Sequence, residues 1–127
     1  FRSEAYQLTR RAARIGFDWE SLAAVLDKLT EEQRELASAA AKSSQLHIEE
    51  ETGDLLFAAV NVARLAGVDP EIALKKANRK FQRRFEWMER TAAAEGRVFA
   101  ELPRARMEEL WNQAKAANIA TPGRKRS

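Results

Sequence analysis

Two acidic stretches decide how this chain is read: Glu31-Glu32-Gln33-Arg34-Glu35, and Glu49-Glu50-Glu51-Thr52-Gly53-Asp54-Leu55-Leu56-Phe57. Each sits in a run with helical spacing of apolar residues. Leu22, Val25, Leu26, Leu29 and Leu36 mark one side of a helix predicted from about Trp19 to Lys42, with Asp18 as its cap. Ser43-Ser44 interrupts that helix, and Ser44 is a suitable cap for the next. The next helix carries Leu46, Ile48, Leu55, Leu56, Ala59, Val62, Ala63 and Leu65 and stops at Gly67. A connection of a few residues makes the two helices antiparallel neighbours. Acids distant in the chain are thereby brought close in space.

Outward from this pair the helical signals continue. Ser3 caps a short first helix through Leu8 and Ala12, ending at Gly16. Asp69-Pro70 starts a fourth, with Pro at its first position, running to about Glu95 before Gly96. Its expected apolar stripe is Leu74, Phe81, Phe85 and Met88. Pro103 opens a last helix with Met107, Leu110 and Trp111, and the basic tail 121–127 reads as unfolded. No alternating strand pattern and no internal repeat is visible, so the fold class is all-α, in a single domain over residues 1–120.

Within each acidic stretch the spacing is three: Glu32 with Glu35, and Glu51 with Asp54. On a helix each pair shares a face. Four carboxylates meeting across two helices repel strongly, by roughly 4 kcal/mol per pair near 4 Å at an effective dielectric of about 20. A divalent cation is the natural remedy, and all-oxygen ligands suit Mg²⁺, Mn²⁺ or Ca²⁺. Gly53, in mid-helix at a cost near 1 kcal/mol, is read as permitting close helix approach beside the ion. The competing reading is a solvated acidic face. Against it, Leu55-Leu56-Phe57 lead straight from Asp54 into apolar sequence, and the spacing occurs twice.

Composition narrows the chemistry. The 127 residues include no Cys and one His, His47, which excludes thiolate metal sites, disulfides, and zinc or di-iron sites needing several His. A reducing cytoplasm is the expected compartment. No apolar run reaches the ~20 residues of a membrane span, so no membrane partner is expected. A chain opening on Phe1 rather than Met is expected to be a fragment of something longer. Net charge is +3 but unevenly spread. Residues 31–54 hold seven acids and two bases, a net of −5; residues 75–90 hold seven bases and two acids, a net of +5. A metal–polyphosphate complex needs both signs, whereas a nucleic-acid partner has no use for the acids.

These residues carry a family resemblance. Gly16-Phe17-Asp18-Trp19, Val25-Leu26-Asp27-Lys28, the two acidic stretches, and the block from Ile72 through Lys76-Ala77-Asn78, Lys80-Phe81 and Arg83-Arg84-Phe85 resemble the MazG nucleoside triphosphate pyrophosphohydrolases. The likeness runs from about Arg10 to Lys115 and is greatest to the C-terminal of the two domains of long MazG proteins. It implies a helical bundle completed as a homodimer. It implies metal ligands at Glu32, Glu35, Glu51 and Asp54, with Mg²⁺ as cofactor and Mn²⁺ as a substitute. Glu31 and Glu32 stand at the catalytic positions, Glu31 either as partner of a ligand or as base for the attacking water. The implied reaction is attack of water at the α-phosphorus of a nucleoside triphosphate, releasing monophosphate and pyrophosphate.

Lys76, Lys80 and Arg84 lie four apart on one ridge of the fourth helix, suited to a triphosphate chain. The resemblance places Lys80 and Arg84 at triphosphate-contacting positions. Lys75, Arg79 and Arg90 are read as ordinary exposed bases. Asn78 falls on the apolar stripe, where it needs a partner: sugar, phosphate or backbone. Trp111 matches a family position near the base, and Trp19 is either a second stacking residue or a core anchor. Trp87 falls on a more polar side, at a candidate subunit contact. His47, four before Glu51, is read as an exposed residue near a helix start. Two other readings stand beside the hydrolase: a base-specific relative (dUTPase, dCTPase or phosphoribosyl-ATP pyrophosphohydrolase type), and a helical binding module with no catalysis.

Overall fold

The computed structural model describes residues 3–42 and 44–119, which form five α-helices and no strand. Helix α1 (Glu4–Arg14) begins at Ser3, whose hydroxyl accepts from the Tyr6 N–H at 3.2 Å. Helix α2 (Leu22–Ala41) begins at Ser21, which accepts from Ala24 N–H at 3.1 Å. The expected start at Asp18 is therefore three residues early. The Asp18 carboxylate is spent elsewhere, on the Trp19 N–H at 2.8 Å and on Arg64. Helix α3 (Gln45–Leu65) is capped by Ser44, as the sequence suggests, with His47 N–H donating at 3.4 Å.

Helix α4 (Pro70–Ala94) starts where Asp69 accepts from the N–H groups of Glu71 and Ile72. It stops at Gly96, whose φ of +73° is open to glycine at little cost. A single 3-10 turn, Phe99–Glu101, then leads to α5 (Arg104–Ala116). No local signal in the sequence marks that turn. The basic tail lies outside the described residues.

The helices gather into two compact units, divided between Ala73 and Leu74. In the first unit α3 packs against α2 and α1. Val25, Ala39, Ala58 and Asn61 are buried there, so small side chains let α2 and α3 lie close. In the second unit Met88 and Ala92 of α4 meet Leu102 and Leu110. Trp87, Phe99, Met107 and Trp111 pack around them. Trp87 thus leans on the hydrophobic cluster rather than on a polar side.

Much of the apolar sequence stays uncovered. Of the stripe expected on α4 only Met88 is buried; Leu74, Phe81 and Phe85 are exposed. In the first unit Leu46, Leu56 and Phe17 are exposed as well. Gly53 does not mark a close approach, because a side chain added there would meet open space.

Candidate metal centre

The antiparallel pairing of α2 and α3 does what the spacing suggests. Glu32 of α2 and Glu51 of α3 are both buried, at 4% and 7% exposure, although each carries a carboxylate. Oxygens of Glu32, Glu51 and Asp54 lie within 4.8 Å of one another. Oxygens of Glu31, Glu32 and Glu35 also lie within 4.8 Å of one another, and this second group shares Glu32 with the first. The four expected ligands are thus drawn together, with Glu32 as the common member.

Each buried carboxylate has one oxygen engaged. Lys28 donates to Glu32 Oε1 at 3.0 Å and reaches Glu31 at 3.5 Å. His47 Nε2 lies 3.1 Å from Glu51 Oε1. Glu32 Oε2 and Glu51 Oε2 are buried without a hydrogen-bond partner among the described residues. An unsatisfied buried charged oxygen is costly, by more than the ~1–3 kcal/mol of a neutral group. Two of them beside Asp54 form a hard, anionic, all-oxygen donor set, which fits a divalent cation such as Mg²⁺.

Electrostatics reflects the crowding. The pKa of Glu35 is raised above its ordinary 4.5, first by its side-chain contact with Glu51 and then by the charge of Glu32. The Lys28 ammonium is held above its usual 10.5 by its hydrogen bond to Glu32, against a desolvation that lowers it.

Beside the acids lies a pocket of about 240 Å³ lined by Trp19, Lys28, Glu32, Asp54, Phe57 and Ala58. Trp19 and Phe57 also wall a second, apolar pocket of about 440 Å³ with Leu8, Thr9, Ala12, Phe17 and Asp18. The loop bearing Trp19 is tied down by Asp18. Its two oxygens receive the Arg64 guanidinium, at 2.5 and 3.0 Å, and Arg64 Nε donates to Asn61 Oδ1 at 3.1 Å. Fully buried Asn61 donates in turn to the Phe57 carbonyl at 2.9 Å. This network was missed in the sequence. Its signal was Asn61 and Arg64, two polar residues in the otherwise apolar run 55–65. His47 was missed in part: it is exposed, as expected, yet it also touches Glu51.

The remaining site candidates belong to the second unit. Lys76, Asn78 and Lys80 are exposed. Asn78 therefore needs no internal partner, and the stripe on which it was placed is itself open. Arg84 is half-buried, with its guanidinium 5.4 Å from the Trp111 ring and its Nε buried without a partner among the described residues. Trp111 also meets Phe81, centroid to centroid at 5.7 Å, and lies 6.0 Å from the Lys115 ammonium.

The chain as a whole is similar to known proteins. The model of the MazG nucleotide pyrophosphohydrolase domain matches residues 20–88. A nucleoside triphosphate pyrophosphohydrolase of Escherichia coli K12 is 46% identical over 117 residues, 91% of this chain and 44% of the relative. The nucleoside triphosphate pyrophosphohydrolase/pyrophosphatase MazG of Thermotoga maritima is 42% identical over 116 residues, again 91% and 44%. The uncharacterized protein YabN of Bacillus subtilis is 48% identical over 69 residues, 54% of this chain and 14% of that protein. The chain spans less than half the length of each of these relatives.

Proposed function

This chain belongs to the MazG nucleotide pyrophosphohydrolase domain family, and on that premise we propose that it hydrolyses nucleoside triphosphates to monophosphate and pyrophosphate with the help of Mg²⁺. The observation that carries the proposal is the pair of buried, partnerless oxygens on Glu32 and Glu51, beside Asp54. Glu32, Glu35, Glu51 and Asp54 hold the cation, and Mn²⁺ can replace Mg²⁺. When bound, the cation neutralises charge on the phosphate oxygens and makes water more acidic.

The chain's own residues divide the remaining work. Glu31, exposed at the edge of the cluster, takes the proton of the attacking water as its oxygen bonds to the α-phosphorus. The bond from that phosphorus to the bridging oxygen breaks, and pyrophosphate leaves. Glu32, beside Glu31, positions the reacting group as well as the ion. Lys76, Lys80 and Arg84 balance the triphosphate charge, and Asn78 bonds sugar or phosphate. Trp19 stacks the base in the apolar pocket that shares its wall with the acidic one, with Trp111 of the second unit as the other candidate for that role.

That pocket offers few free polar groups. The Asp18 carboxylate is held by Arg64 and the Thr9 hydroxyl donates to its own helix. A site without a hydrogen-bond code distinguishes bases weakly, which favours broad specificity over a dUTPase-like one. The exposed apolar side chains of both units, Phe81 and Leu56 among them, support a homodimer as the working form.

The test is a panel of ribo- and deoxyribonucleoside triphosphates, assayed for pyrophosphate and for orthophosphate. Pyrophosphate release from several bases, lost on chelation, is the expected result. Orthophosphate release, or no turnover with any of them, would remove the proposal.

A further inference from the structure

Glu32 and Glu51 are handled in the same way by the residue one turn before them. Lys28 lies four residues before Glu32 and places Nζ 3.0 Å from its Oε1. His47 lies four before Glu51 and places Nε2 3.1 Å from its Oε1. In both cases the second oxygen, Oε2, is buried and has no hydrogen-bond partner among the described residues. The glutamate side chains are nine-tenths or more buried, at 5% and 10% exposure, whereas the donors reach in from solvent, at 40% and 52%.

We propose that Lys28 and His47 are positioning residues for the divalent cation, each fixing one oxygen of a buried glutamate so that the other oxygen is presented as ligand. The inference rests on the reading of Glu32 and Glu51 as ligands. A glutamate carries three rotatable bonds before its carboxylate, and a ligand free to rotate must be ordered as the ion binds. A donor on the preceding turn supplies that order in advance, and partners of this kind typically contribute 10- to 100-fold in metal affinity or activity. An ionised carboxylate only accepts, so His47 donates from Nε2 in this contact. Lys28 brings a positive charge to the site, so it must orient Glu32 by more than it repels the ion.

Calorimetric titration of Mn²⁺ and Mg²⁺ into the protein, without nucleotide, tests this. His47→Ala should weaken cation binding about 10-fold, and His47→Gln, which keeps an N–H donor, should restore most of it. Lys28→Met should weaken binding too, and Lys28→Arg should restore it. Removing either donor leaves a buried carboxylate oxygen unbonded, so the melting temperature without cation should fall in His47→Ala and Lys28→Met and recover in His47→Gln and Lys28→Arg, with the helical circular dichroism spectrum retained in all four.

Other outcomes overturn the proposal. Unchanged affinity in His47→Ala would show that Glu51 needs no such support. Tighter binding in Lys28→Met would make Lys28 a competitor of the ion. Failure of Gln or Arg to restore binding would mean that the donor is not what matters. If the wild-type protein binds neither cation, the metal reading itself falls, and that result is distinguishable from the other three.

Discussion

Glu32 on α2 and Glu51 on α3, nineteen positions apart in the chain, each keep one buried and unbonded carboxylate oxygen and belong to the same acidic cluster. Folding forces this juxtaposition on two like charges, which Lys28 offsets at Glu32, and a bound cation would relieve it further. Glu51→Gln removes one charge while keeping the shape. It should cut pyrophosphate release by about 100-fold or more and leave the circular dichroism spectrum unchanged. Without divalent cation its melting temperature should be no lower than wild type. Retained turnover would take Glu51 off the list of ligands.

Cation binding should also show directly in stability. A ligand bound only by the folded state contributes RT ln(1 + [L]/Kd), about 1.4 kcal/mol at ten times Kd. Millimolar Mg²⁺ should therefore raise the melting temperature by a few degrees, and chelation should reverse the gain. No shift with Mg²⁺ or Mn²⁺ would count against the site.

The Asp18–Arg64 pair anchors the loop that carries Trp19, and its contribution depends on pH. Arg64 holds Asp18 below its ordinary 3.8, with the Trp19 N–H assisting and partial burial opposing. A depressed folded-state pKa stabilises fully above the unfolded value, and the benefit disappears as pH falls through the folded one. Asp18→Asn should cost about 1–2 kcal/mol near neutrality. The gap between variant and wild type should begin to narrow once pH falls below about 4 and go on narrowing as pH falls further. A gap that does not narrow at all between pH 5 and pH 2 would mean that the charge of Asp18 is not its source.

The apolar pocket is tested by its most exposed wall. Phe17→Ala should weaken binding of a non-hydrolysable nucleoside triphosphate several-fold, about 1 kcal/mol, the low end for an aromatic ring against a base. It should leave binding of inorganic triphosphate as it was. Phe17 is 79% exposed, so the fold should tolerate the change. Equal losses for both ligands would move the base out of this pocket.

The helices and their order were legible because capping and stopping are local. Ser3 and Ser44 cap, and Gly16, Gly67 and Gly96 stop, through hydrogen bonds and positive φ values within a few residues. The acidic cluster was legible because spacing on two adjacent helices fixes which side chains share a face. What was not legible depended on distance in sequence. Asp18 looked like a helix cap because nothing local shows that Arg64, forty-six residues on, claims its carboxylate. The stripe of Leu74, Phe81 and Phe85 looked like core because periodicity shows amphipathicity, not whether a partner covers it. Gly53 looked like a contact point for the same reason, and no neighbour stands there.

The place where the cation binds is the most direct test of the acidic cluster. Crystals grown with Mn²⁺ and a non-hydrolysable nucleoside triphosphate would reveal it by anomalous scattering. The expected result is a peak coordinated by Glu32, Glu51 and Asp54, with triphosphate oxygens completing its shell. A peak elsewhere, or triphosphate bound with those three carboxylates turned away from it, would contradict the account.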